Sequence, residues 1–255
     1  MNGVMSFFKV TGGLVSLLLE TLYWCKAALG NTDKILDQLL VIGYQTLPVG
    51  ALIALFTGGV LALQAGPTLA GLGIEENVGG LVGLSLVKEL GPVMASILIA
   101  GRVGSAMTAE LGSMSVYEEI DALKTMDINP VRYLVMPRFI AMVLALPVLV
   151  LYMDVIGWFG GAVVSYVNPE VHLSFSVYYR NLADLVDFTA FMNGLIKAMI
   201  FGVVISIVCC YVGLKTRGGP REIGTAVTKA VVLSFVLVLV FDYYVTRILL
   251  FFDLD

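Results

Sequence analysis

From Gln38 to Ile74 the chain carries no charged side chain, and four further apolar runs of comparable length follow before it ends. A helix needs ~20 mostly apolar residues to cross the hydrocarbon core of a bilayer. The pattern therefore predicts spans at 39–64, 78–108, 139–167, 188–214 and 225–251. Gly66, Pro67, Gly71 and Gly73 are expected to break the first span, and Glu75, Glu76 and Asn77 to form a water-facing turn. The third run, 29 residues from Phe139 to Val167, is long enough for one tilted span. It also permits a span plus a re-entrant piece, broken near Gly157, Gly160 and Gly161. Ahead of the first span, Phe7–Leu29 has one charge-bearing side and carries Tyr23 and Trp24, which suit the headgroup level. Residues 1–34 are thus expected to hold an interfacial helix. Glu20 interrupts the segment and no A-x-A cleavage pattern follows, so a signal peptide is not expected.

Polar residues concentrate between the second and third spans. Within "SVYEEIDALKTMDINP" (Ser115–Pro130), Ser115 followed by Glu118 fits a capping box. Val116, Ile120 and Leu123 then share a helical face, with Glu118, Asp121 and Lys124 largely on others. Asn129–Pro130 ends this helix and opens the next. A short amphipathic helix over 115–126 follows. It is either a connector lying on headgroups or a docking element, and three acids in four residues (Glu118, Glu119, Asp121) suit an anionic membrane surface poorly.

Composition strengthens the membrane reading. Only 13% of the 255 residues are charged and 59% are hydrophobic, where a soluble domain carries roughly 25% charged residues. Eleven of the fifteen lysines and arginines fall at one set of helix ends, the exceptions being Lys88, Arg180, Lys197 and Arg247. This bias assigns the N-terminus, the 110–138 segment and the 215–224 turn to the cytoplasm, and with five spans the C-terminus to the outer side. No basic tail or arginine-rich patch points to nucleic acid. Cys25, Cys209 and Cys210 lack metal-ligand spacing, and no metal site is expected. His172 is the lone histidine. No phosphate-binding G-x-x-x-x-G-K-[ST] motif occurs, so no catalytic residue and no ATP hydrolysis are expected of this chain.

Five charged residues sit deep in the predicted spans, four of them at similar depth. At 1.5 Å per residue, Glu89 lies roughly 16 Å from the outer end of its span, and Lys197 and Asp242 each lie at ~13 Å. Lys88, next to Glu89, is turned ~100° away. A charge at such depth costs a few kcal/mol unless it faces protein or a watery cavity. Two readings stay open: Lys197 with Glu89 or with Asp242 as a charge-compensated pin between helices, or a set of residues lining a transport pathway. Arg102 is expected to snorkel at the cytoplasmic interface, and Asp154 has no evident partner. The spacings Gly79-x-x-x-Gly83, Gly101-x-x-x-Ser105 and Gly157-x-x-x-Gly161 permit close helix approach without specifying an interface.

The run "ELGPVMASILIAGRVGSAMTAELGSMSVYEEIDALKTMDINPVRYLVMPR" (Glu89–Arg138) resembles the signature of the MlaE family, permease subunits of lipid ABC transporters. The likeness extends to "TGGVLALQ" (Thr57–Gln64), "LPVLVLYMDVIGWFGG" (Leu146–Gly161) and "GLIKAMIFG" (Gly194–Gly202). The resemblance implies an all-α membrane permease with an interfacial helix, five spans and a cytoplasmic coupling helix. It also implies a homodimer, one ATPase subunit per protomer, an MCE-domain partner on the outer side and, in some systems, a STAS-domain protein on the ATPase. Phospholipid would occupy an outward-opening cavity between protomers. Carried to this sequence, Glu118, Glu119 and Asp121 are the acids nearest the ATPase. Glu89, Lys197 and Asp242, with Lys88 beside them, are charges with a role in transport. One face of the first span, with Leu55, Gly59 and Ala62, is a candidate cavity lining. No cofactor belongs to this chain, since ATP and magnesium would be held by the ATPase.

Three functions are then to be separated: a lipid permease of a bacterial inner membrane, a proton-coupled secondary transporter using Glu89, Asp154 and Asp242, and a non-transporting scaffold. The second class often shows repeated halves, and none is evident here. The third leaves the intramembrane charges unexplained.

Overall fold

The computed structural model describes residues 2–251, apart from the side chains of residues 2–7 and Leu29. The expected outer C-terminus, 252–255, lies outside the described residues. Among those described, all regular structure is helical. A first helix, α1 (Asn2–Trp24), leads through a 3₁₀ turn at Cys25–Gly30 into α2 (Thr32–Gly71). The other long helices are α3 (Glu75–Val116), α5 (Val131–Val167), α7 (Phe188–Leu214) and α8 (Pro220–Phe251). Two shorter helices, α4 (Glu119–Thr125) and α6 (Phe175–Leu185), lie between them. Five of these helices, α2, α3, α5, α7 and α8, are long and apolar enough to cross a membrane.

Helix α2 runs straight through Gly66 and Pro67, where a break was expected. Proline removes one backbone donor, and the flanking N–H groups keep the helical ladder. The stop comes at Gly73, whose φ of +74° is open to glycine without a Cβ penalty. There Ile74 N–H donates to the Leu69 carbonyl at 3.0 Å and Gly73 N–H to the Ala70 carbonyl at 3.0 Å, the crossed pair of a Schellman cap.

The third hydrophobic region is one continuous helix, so the re-entrant alternative falls away. Its glycines serve contact. A methyl on Gly58 of α2 would strike the Gly157 carbonyl, and one on Gly160 of α5 would strike the Leu55 carbonyl. Backbone meets backbone there, as small-residue spacings in membrane helices allow.

Contacts divide the chain into two compact units. The first comprises Met1–Gln45, Ile99–Ala145 and Ile200–Val240, and the second Thr46–Leu98, Leu146–Met199 and Phe241–Asp255. In the first, Leu17 and Thr21 of α1 are buried, while Phe8, Val15, Leu19 and Leu22 stay exposed. Those four apolar positions follow helical spacing, so α1 presents an apolar stripe away from the protein. In the second, Val78, Val82 and Leu86 of α3 form a core with Ala162 of α5 and Tyr178 and Leu182 of α6. Helix α6 seats against Gly79, Gly80 and Gly83. Its Asn181 Oδ1 accepts from Gly80 N–H at 2.8 Å, satisfying a first-turn donor of the α-helical part of α3.

The polar segment differs in detail from the expected helix over 115–126. Helix α3 continues to Val116, the chain turns at Tyr117–Glu118, and α4 begins at Glu119. Ser115 therefore sits inside a helix end and forms no capping box. Its hydroxyl donates instead to the Leu214 carbonyl at 3.2 Å, one of the acceptors α7 leaves open at its C-terminus. Glu118 takes a left-handed φ of 60° at the junction. Helix α4 ends in a second Schellman pair, Ile128 N–H to Leu123 and Asp127 N–H to Lys124, with Asp127 at φ 60°. Asn129 then caps the next helix: its Oδ1 accepts from Val131 N–H at 2.8 Å and Arg132 N–H at 3.2 Å, with Pro130 at the helix start.

Candidate functional site: one lysine joined to two carboxylates and a carbonyl

The second unit places Glu89, Lys197 and Asp242 together. Helix α3 widens into a π turn at Leu86–Leu90, which contains both Lys88 and Glu89. Ala100–Gly104 and Val131–Val135 form π turns as well, so the turn shapes the backbone here without by itself marking a site. Helix α7 comes up against this turn at Gly194, where a methyl would collide with the Val87 carbonyl oxygen. Lys197 lies three residues on, on the same face of α7. The close approach at Gly194 thus delivers the lysine to the widened turn.

Lys197 is 2% exposed. Its Nζ lies 2.7 Å from Glu89 Oε1 and 3.5 Å from Asp242 Oδ1 of α8, and donates to the Lys88 carbonyl at 2.9 Å. Thr246, one turn after Asp242, donates its hydroxyl to Glu89 Oε1 at 3.2 Å. The carbonyl contact has a sequence origin. Pro92, four residues after Lys88, has no N–H to offer it in α-helical register. The role of Lys88 in the cluster is therefore carried by its backbone. The two pairings left open from sequence are both present, on one ammonium.

The partners are unequal. Glu89 keeps 41% of its side chain exposed and Asp242 19%, against 3% for Lys197. The lysine is desolvated, while each acid keeps part of its side chain exposed. Glu89 holds it by a charge-assisted hydrogen bond, the stronger kind. The Asp242 contact is an ion pair without a hydrogen bond, Oδ1 having no hydrogen-bond partner among the described residues. It is the looser attachment.

Asp154 stands apart. It is 2% exposed and its Oδ1 has no hydrogen-bond partner among the described residues. It presses on Gly91, just past the π turn, where a methyl would clash with it. A cavity of about 10 Å³ lies beside it, lined by Thr57, Leu90, Gly91 and Met94.

The small face of α2 is packed by protein. Ala62 is buried in the core cluster, Gly59 faces Val164, and the Leu55 carbonyl covers Gly160. The outward face of α2 carries Leu52, Phe56, Val60 and Leu63 instead. Gly59 and Ala62 thus belong to a helix-packing surface in this chain, to which Leu55 contributes its backbone.

In the first unit, Glu118, Glu119 and Asp121 are exposed, while Ile120 beside them is buried. Lys124 Nζ hydrogen-bonds Asp121 at 2.7 Å. That bond, and then the lysine's charge, hold the Asp121 carboxyl below its ordinary range. Sequence reading missed Arg138, counted only as a charge at a helix end. It is 5% exposed, pairs with Glu110 at 2.7 Å and donates to the Leu134 carbonyl at 2.9 Å. Nothing in its local pattern distinguishes it from a snorkelling arginine.

Comparison with known proteins gives the family. The family model for permease MlaE matches residues 35–248. A "Probable ABC transporter permease protein" of Rickettsia typhi is 42% identical over 219 residues, covering 84% of this chain and 82% of the relative. The "Intermembrane phospholipid transport system permease protein MlaE" of Haemophilus influenzae is 34% identical over 248 residues, 96% of this chain and 94% of its own length. The chloroplastic "Protein TRIGALACTOSYLDIACYLGLYCEROL 1" of Arabidopsis thaliana is 35% identical over 208 residues, 82% of this chain and 59% of its own. With five apolar helices and a match from the start of the first nearly to the end of the last, this multi-pass membrane protein belongs to the MlaE permease family.

Proposed function

We propose that this chain is the permease subunit of an ABC transporter that moves phospholipid between a bacterial inner membrane and an outer-side MCE-type carrier. A separate ATPase, holding ATP and magnesium, drives it. Family membership supports the transporter class, and the name of the Haemophilus relative supports the substrate. The observation that carries the site is a single buried ammonium tied to Glu89, Asp242 and the Lys88 carbonyl. Charges at depth are retained where they face protein or a watery path. The acids around this lysine are partly open, so a lipid phosphate competes with them for the same donor. Asp242, bound less tightly, is the partner that exchanges.

The chain works as a homodimer in this reading, with the N-terminus and the 110–138 segment cytoplasmic and the C-terminus periplasmic. The exposed apolar stripe of α1 supports an interfacial position for that helix. The exposed acids Glu118, Glu119 and Asp121 form the surface that engages the ATPase, to which a STAS-domain protein also binds in some assemblies.

The test is reconstitution with the candidate ATPase. Glu119→Arg, alone or with Glu118→Arg, is expected to lose the ATPase on co-purification. Lys197→Ala is expected to keep the ATPase but to transfer lipid poorly. An intact complex in the first pair of variants overturns the docking assignment, and parental transfer in the last overturns the site.

A further inference from the structure

A second charged feature lies wholly in the first unit. Between α1, the end of α7 and the start of α8 runs a groove of about 410 Å³. Lys9, Lys215, Arg217 and Lys229 bring four cations to it, against the single carboxylate of Glu222. Its floor is apolar, with Val10, Val212, Ala226 and Leu233.

Local geometry builds this groove. Gly13 of α1 meets the Tyr211 ring of α7 so closely that a methyl would collide with it. That contact seats α1 on α7 and sets Lys9, one turn earlier on the same face, at the groove's edge. Tyr211 is buried and its hydroxyl accepts from Lys215 Nζ at 2.8 Å, with the ammonium 4.6 Å from the ring centre. The Gly218–Gly219 turn brings Glu222 back to accept from Gly219 N–H at 3.2 Å. The one acid is thereby partly engaged by backbone, and the net charge of the groove is positive. Lys215, Arg217 and Lys229 are exposed, so their charges are available to a ligand.

We propose that this groove binds the headgroup of an anionic phospholipid, with its acyl chains running along the Ala226–Leu233 side of α8. Two features select that occupant. The charge excess suits an anion, and the apolar floor continues along a membrane-crossing helix, which a soluble anion would not use. The lysine and arginine bias assigns this helix end to the cytoplasm, the leaflet that carries anionic lipid. The site is separate in sequence and composition from the Glu89–Lys197–Asp242 cluster. It rests on the membrane assignment of the chain and not on the transport role of that cluster.

A photoreactive residue at Leu233 tests it in the full-length protein, reconstituted in nanodiscs of phosphatidylglycerol or of phosphatidylcholine. Crosslinking to phosphatidylglycerol is expected to exceed that to phosphatidylcholine. Arg217→Gln and Lys229→Gln should each lower the anionic crosslink by about fivefold, as expected for one cation at a charged membrane surface. Glu89→Gln should leave it unchanged, whatever that variant does to transfer. Equal crosslinking to both lipids overturns the proposal, as does crosslinking to protein in place of lipid. Displacement by inorganic phosphate alone, without loss of the lipid preference in the two glutamine variants, also overturns it, by marking a free-anion site.

Discussion

Lys197 and Arg138 are both buried cations with a carboxylate at 2.7 Å and a backbone carbonyl at 2.9 Å. The difference lies in what those partners belong to. Arg138 bonds the carbonyl of Leu134, four residues back in its own helix, and Glu110, whose side chain is 57% exposed. It joins two helices and leans on water through its acid. Lys197 bonds a carbonyl of another helix and two carboxylates on two helices. A cation that closes on its own helix is a structural tie. One shared by α3, α7 and α8 changes its contacts whenever any of the three moves, as the proposed transport role requires.

The largest expected effect is on Lys197. Lys197→Met strands Glu89 and Asp242 beside each other, and breaking a buried pair in this way costs about 3–5 kcal/mol. The partial exposure of Glu89 places it at the low end of that range. A fall in Tm of roughly 5–10 °C in detergent is expected, read by intrinsic fluorescence. Arg138→Met should cost less, about 1–2 kcal/mol, because Glu110 is already solvated. A larger fall for Arg138 than for Lys197 would erase the distinction between them.

Pro92→Ala sharpens the comparison from the backbone side. It returns an N–H to the Lys88 carbonyl in α-helical register and so makes α3 supply its own donor. The expected result is a slower transfer rate with little change in Tm. An unchanged rate would mean that the carbonyl contact is incidental. Thr246→Val is the smallest change, removing one hydroxyl from Glu89 Oε1. It should lower Tm by an amount equivalent to about 1 kcal/mol and leave ATPase association intact.

Sequence was informative where one physical rule decides the outcome. Five apolar runs gave five helices, since backbone in hydrocarbon has no alternative to internal hydrogen bonds. Matched depth brought Glu89, Lys197 and Asp242 together, because uncompensated charge at that depth is costly. Where two rules compete, the pattern ran out. The Gly157–Gly161 region could be a break or a packing point, and only the neighbouring helix decides. The Ser115–Glu118 spacing fitted a capping box, but α3 had not yet ended and Leu214 offered its carbonyl. Leu55, Gly59 and Ala62 share a face that suits a cavity or surrounding lipid equally well, whereas Val164 and Gly160 of α5 pack against it. The Lys88 carbonyl was legible in principle, since proline four residues on always removes that donor.

The most direct test compares lipid transfer by Lys197→Met and Arg138→Met in proteoliposomes with the ATPase and the outer carrier. It should be run below the Tm of both variants, with ATPase association checked in each. The shared lysine predicts at least about a tenfold loss for Lys197→Met, with Arg138→Met keeping more than half the parental rate. Equal rates in the two variants, or parental transfer by Lys197→Met, would contradict it.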